Sequence, residues 1–354
     1  VHEPAGTRAQ PRCITDMTNE PAAQVTIAGA GGIGCALGHA LCAGGVDVTF
    51  VDADERKIAW GLEHGVGIDG RPSIPAKFTH FASWRPEPAG IVLLCTKCYD
   101  NRAVLERLTG DCEVIPVQNG FDRELVGRCR IEGIASFVSE CHPGQTQTRI
   151  TRAGDLHVGF SGADPKGELP EHVGRLVDTL QSHGSFDVKR VPTILPYKYA
   201  KLMYNAAISP LAAAAGLDNG ALLTHGKARE IFFALLRENY GILKAAGVTL
   251  GQVGPFHPDT VDRILRWPFV ARAMAWPFSK TLHGTYCSMS GDIPTGRTEI
   301  ENFNGHLIEL AGDRACELNQ TVLALVKRMA EMRESPALRW LDQIAPAGDA
   351  RARP

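Results

Sequence analysis

Val25-Thr-Ile-Ala-Gly-Ala-Gly-Gly-Ile-Gly34 runs a short apolar stretch straight into a glycine-rich turn. The stretch predicts a strand over Val25 to Ala28. Gly29, Gly31 and Gly34 then stand at the spacing that opens the helix of a dinucleotide-binding βαβ unit. In that pattern the first glycine permits the tight turn, the second admits a pyrophosphate close to the backbone, and the third lets helix and strand pack closely. Gly32 and Ile33 complete the turn, and phosphates would meet the positive end of the helix that begins near Gly31. A glycine turn that packs without any ligand is the competing reading. Context favours the nucleotide, because Val46 to Val51 reads as the next strand and ends at Asp52. A carboxylate there accepts hydrogen bonds from ribose hydroxyls and repels a 2′-phosphate. Asp54 competes for that role from beyond the strand end, and Arg56 can reach back toward a 2′-phosphate. NAD(H) is therefore the expected cofactor, with NADP(H) the alternative.

Outward from this unit, Ile91 to Thr96 and Val114 to Val117 are further strand candidates separated by helix-length segments, the rhythm of a parallel sheet covered by helices. Ile131 to Ser139, Gln147 to Thr151 and Leu156 to Phe160 also read as strands. After Pro196 the period changes: Ala200 to Ala215, Ala228 to Ala246, Thr260 to Ala275 and Thr298 to Met329 place apolar residues three and four apart. Lys189-Arg-Val-Pro-Thr-Ile-Leu-Pro196 is too proline-rich for an uninterrupted helix and marks the join. The reading is an α/β Rossmann-type N-terminal domain over residues 23–192 followed by an all-helical C-terminal domain over 193–340, with loose tails at 1–22 and 341–354. A chain of 354 residues suits two domains better than one core.

Composition narrows the classes of function. A formal charge of −2 with 44% hydrophobic and 21% charged residues is ordinary for a soluble globular protein. No basic excess points to nucleic acid, no apolar run approaches a membrane span, and the chain is read as cytoplasmic with a small-molecule partner. Ten cysteines scattered through strands and helices do not make a disulfide framework. Cys95 and Cys98 have the spacing of half a zinc site with no second pair to complete it. His142, His225, His283 and His306 each stand apart from other ligands, so no metal is expected; His283 alone lies near a candidate pocket segment.

In the second half Lys201, Asn205 and Ser209 lie four apart and share one helix face. Alone, Lys201 reads as a surface lysine laying its stem on apolar neighbours. If the face lines a cleft, the three groups hold a carbonyl substrate and deliver a proton. A second polar island runs from Tyr286 through Ser288 and Asp292 to Gly305. Within it Thr298 is a candidate cap with Glu301 completing a capping box, and Glu299 suits a helix start as well as a reaction. Asn304-Gly305 inside a helical run suggests close packing against a partner element.

Four ordered islands together resemble the ketopantoate reductase, or 2-dehydropantoate 2-reductase, family over roughly Gln24 to Met332. They are the glycine fingerprint, Thr96-Lys97 with Gln118-Asn119-Gly120, Lys201-Leu-Met-Tyr-Asn205 with Ser209-Pro-Leu, and Ser288-Met with Asp292 followed by Thr298 to Gly305. The resemblance implies an active cleft between the two domains, with Lys201 giving a proton to the carbonyl oxygen as hydride arrives from the nicotinamide. It implies that Asn119 sits near the nicotinamide, Lys97 near the phosphates or ribose, and that Asn205, Ser209 and Ser288 bind substrate. Glu299 is implied to accept a hydrogen bond from a substrate hydroxyl and to orient Lys201. Three departures limit the transfer: Ser209 where the family often has asparagine, a shorter run from Asp292 to Glu299, and Asp52 where NADP-dependent members tend to present arginine or a neutral residue. The expected reaction is reduction of a 2-oxoacid, ketopantoate to pantoate by default as in pantothenate biosynthesis. The alternatives are a catabolic NAD-dependent dehydrogenase of another branched or polyhydroxylated 2-hydroxy acid, and a non-enzymatic nucleotide sensor. A homodimer is the expected assembly.

Overall fold

The computed structural model describes residues 24–108, 110–162 and 167–344. The loose tail expected over 1–22 lies outside them. Chain order begins β1 (Val25–Ala28), α1 (Gly32–Ala43), β2 (Val48–Asp52), α2 (Glu55–His64), β3 (Gly67–Ile68), β4 (Lys77–His80), β5 (Ile91–Leu94), α3 (Asn101–Leu105) and β6 (Glu113–Pro116). Five of these strands form one sheet in the order β4-β2-β1-β5-β6, every neighbouring pair parallel. All four residues of both β1 and β5 are buried. Their unbroken apolar runs are what a parallel sheet covered on both faces requires.

The chain continues through β7 (Ile131–Ala135), β8 (Val138–Cys141), β9 (Gln147–Arg152), β10 (Asp155–Phe160), α4 (Glu171–His183) and β11 (Asp187–Thr193). The single strand expected over Ile131 to Ser139 is two. Ser136 stops the first one: its amide donates to the Asp155 carbonyl at 2.7 Å and its hydroxyl accepts the Asp155 amide at 2.7 Å. β7 then pairs antiparallel with β10, while β8 crosses into a separate three-stranded sheet, β3-β9-β8. A parallel bridge between Val117 and Gly133 sets β7 beside the main sheet.

β11 ends at Thr193, and α5 (Leu195–Ala215) begins the helical part, with α6 (Asn219–Thr224), α7 (Gly226–Ala245), α8 (Pro258–Leu265), α9 (Pro268–Leu282), a π-helical turn at Glu301–Gly305, α10 (His306–Ala311) and α11 (Glu317–Met332). Two expected helices are broken. Thr260 to Ala275 divides at Trp267, because the residue before Pro268 is pushed out of the helical region. Thr298 to Met329 divides at Gly312, where φ is 57° and ψ −123°. The packed chain also runs past the expected end at 340, since Leu341 and Ile344 are both fully buried. No helix among the described residues is long and apolar enough to cross a membrane.

Pro210 lies inside α5, and its missing N–H leaves the Ala206 carbonyl without its helical donor. Asn304 Nδ2, in the π-turn, donates to that oxygen at 2.9 Å and to Asn319 Oδ1 at 2.8 Å. Asn319 Nδ2 in turn donates to Asn239 Oδ1 at 2.8 Å, and Asn239 Nδ2 to the Met203 carbonyl at 3.0 Å. Three fully buried asparagines thus tie α5, α7 and α11 and hold the catalytic-candidate helix in register. The close packing expected of Asn304-Gly305 belongs to Asn304. For Gly305 the nearest obstacle to a Cβ is only the Glu301 carboxylate of its own turn, at 2.5 Å.

Candidate active site

The glycine turn closes at the C-terminal edge of β1. Gly29 has φ +99°, and a Cβ there would lie 2.8 Å from the Thr96 amide nitrogen. A Cβ on Gly34 would sit 2.0 Å from the Gly29 carbonyl oxygen, and one on Gly32 2.3 Å from the Ser139 carbonyl oxygen. Gly31 differs: nothing lies within 4 Å of its would-be Cβ, so the space beside it is open. That space is a cavity of about 450 Å³ lined by Gly29, Gly31, Gly32 and Ile33, by Asp52 and Lys57, and by Lys97, Asn119, Ser288 and Glu299 across the domain join. Gly31 is also the N-cap of α1, whose first amides face the turn with no side-chain cap. A glycine with room beside it at an uncapped helix start fits a dinucleotide's phosphates.

Asp52 lines this cavity from the end of β2. Its Oδ2 accepts from the Ala30 amide at 2.8 Å and its Oδ1 from the Asp54 amide at 2.9 Å. Arg56 does not reach toward the nucleotide cavity. It forks onto Asp54, with Nε to Oδ1 at 3.1 Å and the second nitrogen to Oδ2 at 2.9 Å. The cation that lines the cavity beside Asp52 is Lys57, whose Nζ donates to the Ala30 carbonyl at 3.0 Å and lies 3.5 Å from Asp52 Oδ2. Lys57 is invisible to the glycine motif. Its one signal is a positive charge in the first turn of a helix, where the dipole disfavours it.

A second cavity of about 440 Å³ adjoins the first and shares Ile33, Asn119, Ser139 and Ser288 with it. Lys201, Asn205 and Ser209 line it from one face of α5, as their spacing predicts. Among the described residues the Lys201 ammonium has no hydrogen bond or ion pair. Burial, and then the positive charge of Arg152, push it down to about 8. Two groups that the sequence reading missed stand here as well. Ser139 Oγ and Asn219 Oδ1 are buried without a partner, each on the wall of this cleft. Polar atoms so placed are available to a polar ligand or to water. Asn219 was findable as the residue after the Asp218 cap of a short helix; Ser139 carries no sequence signal.

Lys97 and Glu299 occupy a different station. Lys97 Nζ lies 2.5 Å from Asp292 Oδ2 and 3.1 Å from Glu299 Oε2, and it donates to the Ser288 carbonyl at 3.4 Å. Burial alone would lower the Lys97 pKa, but Glu299 and Asp292 overcome it and hold the ammonium protonated. Glu299 Oε1 also accepts from the Cys98 amide at 3.1 Å, and Tyr99 donates to Asp292 Oδ1 at 3.2 Å. Lys97 therefore spends its charge as an interdomain clasp beside the nucleotide cavity. Glu299, implied to orient Lys201, turns to Lys97 because that ammonium and the Cys98 amide satisfy both its oxygens. The Thr298 hydroxyl accepts from the Ile300 amide at 3.2 Å, but no reciprocal capping box forms, since Glu301 pairs with Lys327 at 2.5 Å.

Glu299→Gln is expected to lower the thermal midpoint by a few degrees and weaken dinucleotide binding several-fold, leaving the breakpoint of the Lys201 titration in place. A moved breakpoint in the rate profile would instead make Glu299 a positioning residue for Lys201.

The Asn119-Gly120 turn sits on the join between the domains. Gly120 has φ +79°, with the Phe303 ring 2.6 Å from where a Cβ would be, and the Phe121 amide donates to the Asn302 carbonyl at 3.0 Å. Asn119 is thereby held where the two cavities meet. The histidines stand elsewhere: His142 faces Asp69, His225 caps α7, His283 lies 3.5 Å from Asp218, and His306 stacks on Phe121. No group of three potential metal ligands occurs among the described residues.

Two family models match these halves. "Ketopantoate reductase PanE/ApbA" covers residues 25–164, and "Ketopantoate reductase PanE/ApbA C terminal" covers 193–330. The chain belongs to the ketopantoate reductase family. It is accordingly an NAD(P)-dependent oxidoreductase of Rossmann type. A relative from Archaeoglobus fulgidus, 2-dehydropantoate 2-reductase, is 25% identical over 86% of this chain and 97% of its own length. Among solved structures, D-mandelate dehydrogenase with NADH and anilino(oxo)acetate superposes with a TM-score of 0.71 at 19% identity, covering 88% of this chain and 99% of that one. A PanE/ApbA family ketopantoate reductase from Ralstonia eutropha JMP134 gives 0.69 at 19% identity over the same shares.

Proposed function

We propose that this family member reduces a branched 2-oxoacid to its 2-hydroxy acid with NADH, that Lys201 is the proton donor, and that ketopantoate is the first substrate to test. The observation that carries the reading is the unpaired Lys201 ammonium on a cleft that meets the nucleotide cavity at Asn119. A bound dinucleotide supplies the hydride. Lys201 Nζ holds the proton for the carbonyl oxygen and stabilises the alkoxide charge that develops there. Asn205, Ser209, Ser288 and Asn219 offer neutral hydrogen bonds that fix the substrate's orientation, and Asn119 borders both ligands. In the nucleotide cavity the uncapped start of α1 receives phosphate, and Asp52 faces the ribose.

A catabolic dehydrogenase running the reaction backward is the second reading. It is favoured by the Lys201 value of about 8, because an amine that deprotonates near neutral pH can also accept the hydroxyl proton.

Cofactor choice rests on opposed charges. Asp52 repels a 2′-phosphate, and Lys57, 3.5 Å away, softens that repulsion. NADH is expected to outperform NADPH in kcat/KM with ketopantoate. Asp52→Ser, which keeps a short acceptor and removes the charge, is expected to swing the ratio toward NADPH by on the order of tenfold, about 1.4 kcal/mol. Parallel assays with both cofactors check this, and a wild type that prefers NADPH would sink the assignment of Asp52.

A further inference from the structure

Ala30, between the first two glycines of the turn, gathers four groups around its peptide. Its amide donates to Asp52 Oδ2 at 2.8 Å, and its carbonyl oxygen accepts from the Lys57 ammonium at 3.0 Å. Two sulfurs meet at the same oxygen. Cys35 Sγ, from the first turn of α1, lies 3.5 Å from it, and Cys141 Sγ, from the last residue of β8, lies 3.7 Å from it. The two sulfurs are 3.9 Å apart, and both cysteines are free thiols. Cys35 is fully buried, whereas Cys141 is half-buried and lines the second cavity. A hydrogen bond between the two sulfurs, and then the Lys57 charge, hold the Cys141 thiol below its ordinary range against the opposing effect of burial. The same hydrogen bond, and then burial, raise that of Cys35. The pair thus divides into a more acidic thiol on a cavity wall and a buried one directly behind it.

We propose that Cys35 and Cys141 are an oxidisable dithiol, which a hydroperoxide converts to a disulfide that weakens dinucleotide binding. The Cys141 thiolate attacks a peroxide oxygen, the O–O bond breaks, and the departing alkoxide or hydroxide takes a proton, leaving a sulfenic acid on Cys141. The Cys35 sulfur then attacks the Cys141 sulfur, and its proton leaves with the hydroxyl as water while the S–S bond forms. Two thiols have lost two electrons and two protons, and the peroxide has gained them. A disulfide holds its sulfurs about 2 Å apart, so the present 3.9 Å has to shorten. Cys35 is fixed within a packed helix, while Cys141 leads into the turn closed by the Gln145 amide on the His142 carbonyl, so the end of β8 is the part that shifts. That strand end already stands against the glycine turn, with the Ser139 carbonyl oxygen 2.3 Å from where a Gly32 Cβ would be. The new bond also takes both S–H donors from the Ala30 carbonyl. The uncapped start of α1 and the Asp52 carboxylate both lean on this stretch of backbone, so phosphate and ribose contacts weaken together. The inference concerns the dinucleotide and stands whether or not Lys201 is the proton donor.

The test begins with the reduced full chain, treated with hydrogen peroxide, alkylated to block the remaining thiols and digested without reductant for peptide mass mapping. Parallel samples are titrated calorimetrically with NADH and with NADPH before oxidation, after it, and after dithiothreitol. Wild type is expected to yield a peptide pair joining Cys35 to Cys141. Its affinity for the tighter dinucleotide should fall by about tenfold or more, on the order of one lost hydrogen bond to a charged group, and return with dithiothreitol. Cys141→Ser should give no such peptide pair, and peroxide should leave its dinucleotide affinity at that variant's own untreated value. In Cys35→Ser the sulfenic acid on Cys141 has no partner thiol and should be trapped by dimedone. Oxidised wild type without the Cys35–Cys141 peptide pair, a cross-link that leaves dinucleotide affinity unchanged, a loss that dithiothreitol does not reverse, or an equal loss in Cys141→Ser would overturn the proposal. Should Cys35→Ser fail to fold, wild type and Cys141→Ser carry the decision.

Discussion

Lys201→Ala is expected to cut kcat for 2-oxoacid reduction by about 10²–10⁴, the range associated with losing a positioned general acid, while dinucleotide binding stays within a few-fold of wild type. The side chain lines the second cavity and, among the described residues, makes no hydrogen bond or ion pair, so the loss should appear in the chemical step. The pH profile gives the mechanism a sign. On the proposed mechanism reduction needs the ammonium, and burial puts its loss at about 8. The reductive rate should be flat on the acidic side and fall about tenfold per unit above the breakpoint; the oxidative rate should rise toward the same point. Arg152 contributes to holding that breakpoint down, so Arg152→Met should move it upward. Stopped-flow single-turnover measurements from pH 6 to 10 read both limbs. A pH-independent reductive rate, or near-wild-type turnover in Lys201→Ala, would remove Lys201 from the reaction.

Lys198→Met is the largest expected stability effect. Lys198, on α5, pairs with Glu132 on β7, and both side chains are about nine-tenths buried, at 7% and 11% exposure. Lys198 also lies over the Phe121 ring at 4.7 Å. Removing the ammonium strands a buried carboxylate between the domains, a change that typically costs about 3–5 kcal/mol. In a protein of this size that corresponds to a fall in thermal midpoint on the order of 10 °C. Removing both charges, as Lys198→Met with Glu132→Gln, should restore most of the loss, because the penalty belongs to the uncompensated charge. Differential scanning calorimetry of the two single variants and the double variant checks this, and equal destabilisation by single and double variants would contradict it.

The architecture was legible wherever one period repeated for long enough. β1 and α1 follow from an apolar run ending in spaced glycines, and the α5 face follows from a lysine, an asparagine and a serine four apart. Joins were less legible. Nothing in Ile131 to Ser139 announces that Ser136 sends one strand into two sheets, because the cause is an hydrogen bond to Asp155 nineteen residues on. The site was legible in part for the same reason. A motif names residues but not their partners, so Lys97 and Glu299 were found while their mutual pairing was not. Lys57, Ser139 and Asn219 are ordinary residues until the fold sets them on a cavity wall.

The glycine turn also decides where this protein can change over evolutionary time. At positions 29, 32 and 34 a methyl group would collide with backbone atoms at 2.8, 2.3 and 2.0 Å, and backbone cannot step aside as a side-chain tip can. Those sites are closed to variation. Divergence in cofactor preference is instead open at the end of β2 and the start of α2, where the side chains of Asp52 and Lys57 line the cavity and meet no backbone wall of this kind. A lineage can thus shift its dinucleotide preference by changing side chains that lean on the turn, while the glycines themselves stay fixed.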